Sequence, residues 1–268
     1  DLLDRFAPAF GRDGFRRLER EGARFRACTI PYAITLTGPG HATWLSGTVP
    51  AVHGIVGNEW HEEGPCRTVT CAGDTTYASV GVTGRGDPAS PRLMRAQTVA
   101  DVLREVTRGA GKVIAIADKA RSAILPAGRL PSGAYWLDDT SGFMQSSTYY
   151  MSALPAWAET ANAARAVGVR TARSIAWTPL LPAEAYRGTV VEDPNNTFPH
   201  AVGKIGSDET PNAIFAAEHP FELDALFDFA EAAVRGEELG ADGTPDLLIV
   251  SVAVTDAVGH RFGPDSPE

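Results

Sequence analysis

The 268-residue sequence has no run of 18 or more apolar residues, so no segment reads as a membrane-spanning helix. It is poor in cysteine, with three: Cys28, Cys66 and Cys71. None belongs to a C-x-x-C pair, and no Cys or His pair nearby completes a zinc site around them, which excludes a structural zinc module of that kind. Basic residues are the minority, 24 Lys and Arg against 33 Asp and Glu, for a net charge of −9. Such a balance argues against a general nucleic-acid binder, because phosphate backbones are held by basic faces. It leaves room for a small phosphate ligand, since a local cluster of cations outweighs the global sign at short range. Internal repeats and low-complexity tracts are also missing.

What is present is ordinary for a globular protein: 44% hydrophobic and 21% charged residues, enough for a sizeable core. The length suits one large domain or two small ones. The chain opens on DLLDRFAPAF, without an initiator methionine or a leader, and closes on RFGPDSPE, which reads as a loop leaving a strand. Both ends read as cut from a longer protein. Cys66 and Cys71 sit in the polar stretch GPCRTVTCAGD, where a local disulfide of an oxidising compartment and two free thiols are both open.

Hydrophobic periodicity predicts an amphipathic helix over 1–22, closed by Gly22, then a strand over 23–33 (ARFRACTIPYA). A helix is predicted over 91–111, a buried strand over 112–117 (KVIAIA), a helix over 221–240 and the clearest buried strand over 246–254 (DLLIVSVAV). Alternating helices and strands predict an α/β fold with a mostly parallel sheet. The Pro- and Gly-rich region 178–215 reads as an insertion or cap over the sheet edge, and Asn195-Asn196-Thr197 within it matches a glycosylation acceptor.

Four stretches carry candidate chemistry, at or near strand ends, where α/β sheets place their ligands. Thr37-Gly38-Pro39-Gly40-His41 sets a hydroxyl at a helix start, which is either an anion site or an N-cap. Gly57-Asn58 offers an amide with two donors, or simply a turn. Asp118-Lys119-Ala120-Arg121 follows KVIAIA, and its two cations either converge on a phosphate or belong to a solvated loop with an Asp–Arg pair. Asp256 and His260, after DLLIVSVAV, suit a divalent metal or are an N-cap with an exposed imidazole.

The segment TLTGPGHATWLSGTVPAVHGIVGNEW (35–60) resembles the nucleophile region of the alkaline phosphatase superfamily. More narrowly, the chain is similar to bacterial periplasmic PafA-like alkaline phosphatases with a threonine nucleophile, relatives of the type I phosphodiesterases and nucleotide pyrophosphatases. DKARSAILPAG (118–128), YWLDDTSGFMQSSTYYMSALPAWAETAN (135–162) and SVAVTDAVGHRFGPDS (251–266) extend the likeness over most of the chain, in the expected order. The sulfatase branch would show Cys-x-Pro-x-Arg where Thr37-Gly-Pro-Gly-His stands.

The resemblance implies an alkaline-phosphatase-like three-layer α/β sandwich, present as one incomplete domain over 1–268 and truncated at both ends. Thr37 becomes the nucleophile, forming a phospho-threonine, and a ligand of one of two zinc ions. Asn58, Lys119 and Arg121 bind the phosphoryl oxygens, and Asp256 and His260 ligate the other zinc. The Lys-x-Arg pair favours phosphate monoesters over the diesters of the related phosphodiesterase branch. The family's remaining zinc ligands lie outside this chain, so the chain alone is expected to be inactive or nearly so. The likeness further implies small phosphate monoester substrates, a monomer, and a periplasmic or secreted location. The competing readings are a phosphodiesterase or nucleotide pyrophosphatase with the same metals, and a metal-free phosphate-binding relative.

Overall fold

The computed structural model describes residues 2–64, 66–82, 88–138, 141–172, 176–191, 197–201 and 220–268. At its centre lies the strand 113–117, called β4 in chain order, buried at every position. Its alternate residues serve two different cores. Ile114 and Ile116 point to one face, where they meet Tyr135, Leu137, Leu226 and Phe229. Ala115 and Ala117 point to the other, with Ala134, Trp136, Ala123 and Ala127. A strand buried on both faces reads as a continuous apolar run, which is why KVIAIA was legible in sequence. The alanine-rich face lets one helix lie close against the sheet, while the bulkier face seats two longer ones.

The chain begins with short helices α1 (Leu2–Phe6) and α2 (Phe15–Glu21), the latter ending at Gly22. Next come α3 (Thr37–Ser46), α4 (Pro50–His53) and the antiparallel hairpin β1 (Glu59–Glu62) and β2 (Arg67–Thr70). Strand β3 (Ser79–Val80), helix α5 (Val99–Val106), β4 (Val113–Ala117) and α6 (Ala120–Ala127) follow. Strands β5 (Gly133–Leu137) and β6 (Met144–Ser147) lead to helix α7 (Ala156–Ala172). Short strands β7 (Ala176–Trp177) and β8 (His200–Ala201) pair with each other. Helix α8 (Phe221–Gly236), strand β9 (Leu247–Ser251) and helix α9 (Val254–Phe262) complete the order.

The main sheet runs β3-β6-β5-β4-β9. Strands β5, β4 and β9 are parallel, and β6 and β3 add an antiparallel edge, so the sheet is mixed. With α6 on one face and α8 on the other it makes a three-layer sandwich. The parallel strands aim the ends of β4 and β9 in the same direction, in register from Val113↔Leu247 to Ala117↔Ser251. The chain leaves those two ends into α6 and α9, which carry Lys119–Arg121 and Asp256–His260.

Several sequence expectations are corrected. The helix over 1–22 is broken by a 3-10 turn at Ala7–Ala9, with Pro8 inside it, before α2 begins. Residues 23–33 form no strand: they lack a pairing partner among the described residues, and Phe25 is 84% exposed. The helix predicted from 91 starts only at Val99. Thr98 and Asp101 form a reciprocal capping box there, and Arg95 gives its N–H to His53 instead. Strand β9 stops at Ser251, and a helix replaces the loop expected after it.

Of the region 178–215, residues 192–196 and 202–215 lie outside the described part, and with them Asn195 and Asn196 of the glycosylation match. Phe198 and His200 from this region, with Trp177 just before it, pack on α9. Trp177 and Phe198 meet Val254, Val258 and Phe262, and His200 bonds Glu268 at 2.8 Å. The apolar side of α9 is thereby fixed and its polar side left outward.

Behind the sheet, Arg165 of α7 and Glu222 of α8 form a fork at 2.7 Å to both carboxylate oxygens, with side chains 3% and 0% exposed. Burial first pushes the Glu222 carboxyl up to about 7, and Arg165 opposes this. Glu222→Ala leaves the buried guanidinium without its carboxylate. We expect a loss of about 3–5 kcal/mol in urea unfolding, whereas a change below 1 kcal/mol would show that the pair adds little.

Candidate active site

The segment 35–60 closes on itself. Helix α3 ends at Gly47 and α4 at Gly54, both left-handed, with φ of 64° and 82°. These two turns reverse the chain so that its end returns to its beginning. The 0%-exposed His53 braces the return. Ile55 donates its N–H to Nδ1, so Nδ1 is the acceptor and Nε2 donates to the Thr43 hydroxyl. At the closure Gly38 N–H donates to Asn58 Oδ1 at 2.7 Å. A Cβ on Gly38 would stand 3.0 Å from Cys71 Sγ and 3.2 Å from Asn58 Oδ1, so only glycine fits comfortably.

This bond orients Asn58. Its oxygen is committed to Gly38, which leaves the NH2 group as a pair of donors on a residue that lines the main cleft. Thr37 is the first residue of α3, not its N-cap; Leu36 holds that position, and no side chain caps the helix. The backbone contributes little to anion binding here. Gly38 N–H is taken by Asn58, Pro39 has none, and Gly40 N–H bonds Leu36.

His41 ties α3 to the sheet. Its Nδ1 lies 2.8 Å from the Thr37 carbonyl and its Nε2 2.8 Å from Ser251 Oγ at the end of β9. A carbonyl only accepts, so Nδ1 carries the proton and the Ser251 hydroxyl donates to Nε2. Burial lowers the imidazole pKa, and the neighbouring Arg121 and Lys119 charges lower it further.

The two cations stand differently. Lys119 caps the start of α6 and donates to Asp256 Oδ2 at 2.9 Å, a bond that holds the Asp256 carboxyl below its usual range. Arg121 Nε is buried without a hydrogen-bond partner among the described residues. Its guanidinium lines, with Asn58, Cys71 and Ala120, a cleft of about 530 Å³. The Asp–Arg loop pair considered from sequence does not form: Asp118 turns inward and accepts from Ala253 N–H at 2.8 Å.

Asp256 and His260 lie one turn apart on α9, with His260 Nε2 3.4 Å from Asp256 Oδ1. Ala253 occupies the N-cap position, so Asp256 is no cap. Among the described residues no three of His, Cys, Asp and Glu converge as a metal site. Two donors, one already paired with Lys119, do not complete zinc's usual four. Sequence reasoning missed the bracing roles of His41, His53 and Asp118, whose long-range partners no local pattern displays.

Cys66 and Cys71 are free thiols, the first exposed and the second buried. They flank the extended strand β2, which separates their Cα atoms by roughly 16 Å at 3.3 Å per residue, far beyond disulfide reach. Burial pushes the Cys71 thiol up to about 11.

A family profile described as type I phosphodiesterase/nucleotide pyrophosphatase matches the chain over residues 1–268. Alkaline phosphatase PhoV of Synechococcus elongatus is 37% identical over all of this chain and 50% of its own length. Alkaline phosphatase PafA of Elizabethkingia meningoseptica is 34% identical, again over all of this chain and 50% of its own. The crystal structure of wild-type alkaline phosphatase PafA superposes with a TM-score of 0.89 at 34% identity, covering 100% of this chain and 53% of that one. A PafA variant in which a threonine, an asparagine, a lysine and an arginine are replaced superposes at 0.87, with 33% identity, over 99% and 53%. The fold is thus that of an alkaline phosphatase, and the chain spans about half the length of the curated relatives it matches.

An aromatic disulfide reagent near pH 8 should modify Cys28 and Cys66 in the native protein and Cys71 only after unfolding; fast native reaction of all three would show an open site. Gly38→Ala should crowd Asn58 and Cys71 and lower stability in urea unfolding by roughly 1–3 kcal/mol, the usual cost of overpacking. An unchanged urea midpoint in that variant would show that this contact is not tight.

Proposed function

The chain belongs to the type I phosphodiesterase/nucleotide pyrophosphatase family, and from that premise we propose that it carries the nucleophile and phosphoryl-binding half of a phosphate monoester hydrolase of the alkaline phosphatase type. The observation that carries the reading is Arg121, whose buried Nε has no hydrogen-bond partner among the described residues and which lines one cleft with Asn58, whose amide oxygen is taken by Gly38 N–H. An arginine without a carboxylate partner beside a fixed amide donor suits an anion with several oxygens.

Thr37 attacks phosphorus and displaces the alcohol, and water then displaces Thr37 from the phosphoryl group. Asn58, Lys119 and Arg121 hold the non-bridging oxygens during both displacements, where charge builds on them. A monoester dianion has three such oxygens for these three groups. A diester has one fewer and needs space for a second substituent. The PafA variant lends support. Its four altered residues are of the same types in the same order as Thr37, Asn58, Lys119 and Arg121, with the threonine and asparagine twenty-one positions apart and the lysine and arginine two apart in both chains.

Two zinc ions belong to this reading, with Thr37 as a ligand of one and Asp256 and His260 of the other. Bound zinc lowers the pKa of an oxygen it holds. The described residues do not complete either shell, and further donors must come from elsewhere in the protein. The reading also carries a monomer in the periplasm or outside the cell. The family's description keeps phosphodiester hydrolysis as the second reading.

The test uses a chain extended to the length of its relatives, with zinc at alkaline pH. p-Nitrophenyl phosphate should be hydrolysed, and Thr37→Ala should abolish this. Lys119→Ala and Arg121→Ala should each lower monoester turnover about 10²–10³-fold, the scale of a lost oxyanion donor, and diester turnover much less. Equal losses on bis(p-nitrophenyl) phosphate would favour the diesterase.

A further inference from the structure

The ladder between β4 and β9 ends at Ala117↔Ser251, where both strands turn into helices. One more bond crosses beyond it. Ala253 N–H, at the N-cap of α9, is accepted not by a backbone carbonyl but by Asp118 Oδ2 at 2.8 Å. Asp118 is 2% exposed and directly precedes Lys119, the N-cap of α6. Lys119 in turn reaches Asp256 Oδ2 at 2.9 Å. Two adjacent residues at the end of one strand therefore grip one helix, the first by its backbone and the second by its side chain.

We propose that Asp118 is a positioning residue, whose carboxylate oxygen sets the start of α9, and with it Asp256, against the phosphoryl-binding residues of α6. The claim rests on the monoesterase reading for its effect on turnover and on geometry alone for its effect on α9. Nothing else among the described hydrogen bonds joins the start of α9 to the end of β4 at backbone level. The far side of α9 is packed from Val254 to Phe262 by the Trp177–Phe198 cluster, and the Asp118 bond adds the directional polar contact on the side that faces β4. Burial raises the Asp118 pKa, while the Ala253 N–H and the Arg165 and Lys119 charges oppose the rise. A buried acceptor is what the site requires, and the role needs an oxygen at that point more than a charge. Asparagine supplies the same oxygen in the same place; alanine does not.

The experiment compares Asp118→Asn and Asp118→Ala with wild type in the full-length protein by two readouts. Amide hydrogen exchange over residues 252–262 should be unchanged in Asp118→Asn and faster in Asp118→Ala, with the β4 amides unaffected in both. Turnover of p-nitrophenyl phosphate should stay within about threefold in Asp118→Asn, and kcat should fall about 10–100-fold in Asp118→Ala, the usual range for a residue supporting an active-site group. KM should change less than kcat in Asp118→Ala. Wild-type exchange over α9 in Asp118→Ala overturns the proposal, as does a loss above tenfold in Asp118→Asn, which would make the charge the essential feature. If Asp118→Ala does not fold, the Asp118→Asn result decides alone. A wild-type protein that fails to hydrolyse the ester refutes the functional reading, while the exchange data still judge Asp118.

Discussion

The hydrogen bond from Gly38 N–H to Asn58 Oδ1 is the contact on which the site depends. Twenty residues separate its partners. It can form only because two left-handed glycine turns fold the segment back and because Gly38 has no side chain to hold Asn58 off. Once formed, it decides the chemistry of the cleft. An amide whose oxygen is occupied presents donors, and donors are what a phosphoryl group seeks. Were the amide reversed, the same residue would present a carbonyl to an anion.

The second constraint is the parallel pairing of β4 and β9. It brings residues more than 130 positions apart to one edge of the sheet, where Lys119 meets Asp256 and His41 meets Ser251. The small side chains Ala115, Ala117 and Ala134 let α6 lie close on its face, so that Arg121 reaches the cleft from the first turn of that helix. The buried Arg165–Glu222 fork lies on the opposite layer, tying α7 to α8 without touching the cleft. Loss of order there would loosen the sheet from behind.

Some of this was legible in the sequence. VIAIA after Lys112 is a buried strand because it is apolar at every position, and FELDALFDFAEAAVRG is a helix because its apolar residues recur on one face. The resemblance pointed to Thr37, Asn58, Lys119 and Arg121, of which Asn58 and Arg121 line one cleft while Lys119 bonds Asp256, but their local signals were those of turns and solvated loops. Other features could not be read. The segment ARFRACTIPYA alternates like a strand, yet a strand forms only against a partner, and pairing is a long-range property. The helical pattern running up from Pro91 hid the true start, which the capping box of Thr98 and Asp101 sets. His41, His53 and Asp118 act through partners at 210 and 135 positions' distance, or through a buried turn, and no periodicity announces such contacts.

The central claim is that Asn58 is turned donor-first into the cleft. Asn58→Asp tests it most directly, because the carboxylate keeps an oxygen for Gly38 N–H and replaces only the NH2 group. The quantity to measure is the inhibition constant of inorganic phosphate in the full-length protein, beside the urea midpoint of each form. The account predicts weakening of about 10²-fold or more, as for removal of one oxyanion donor, with the midpoint nearly unchanged. Phosphate inhibition as strong in Asn58→Asp as in wild type would contradict it.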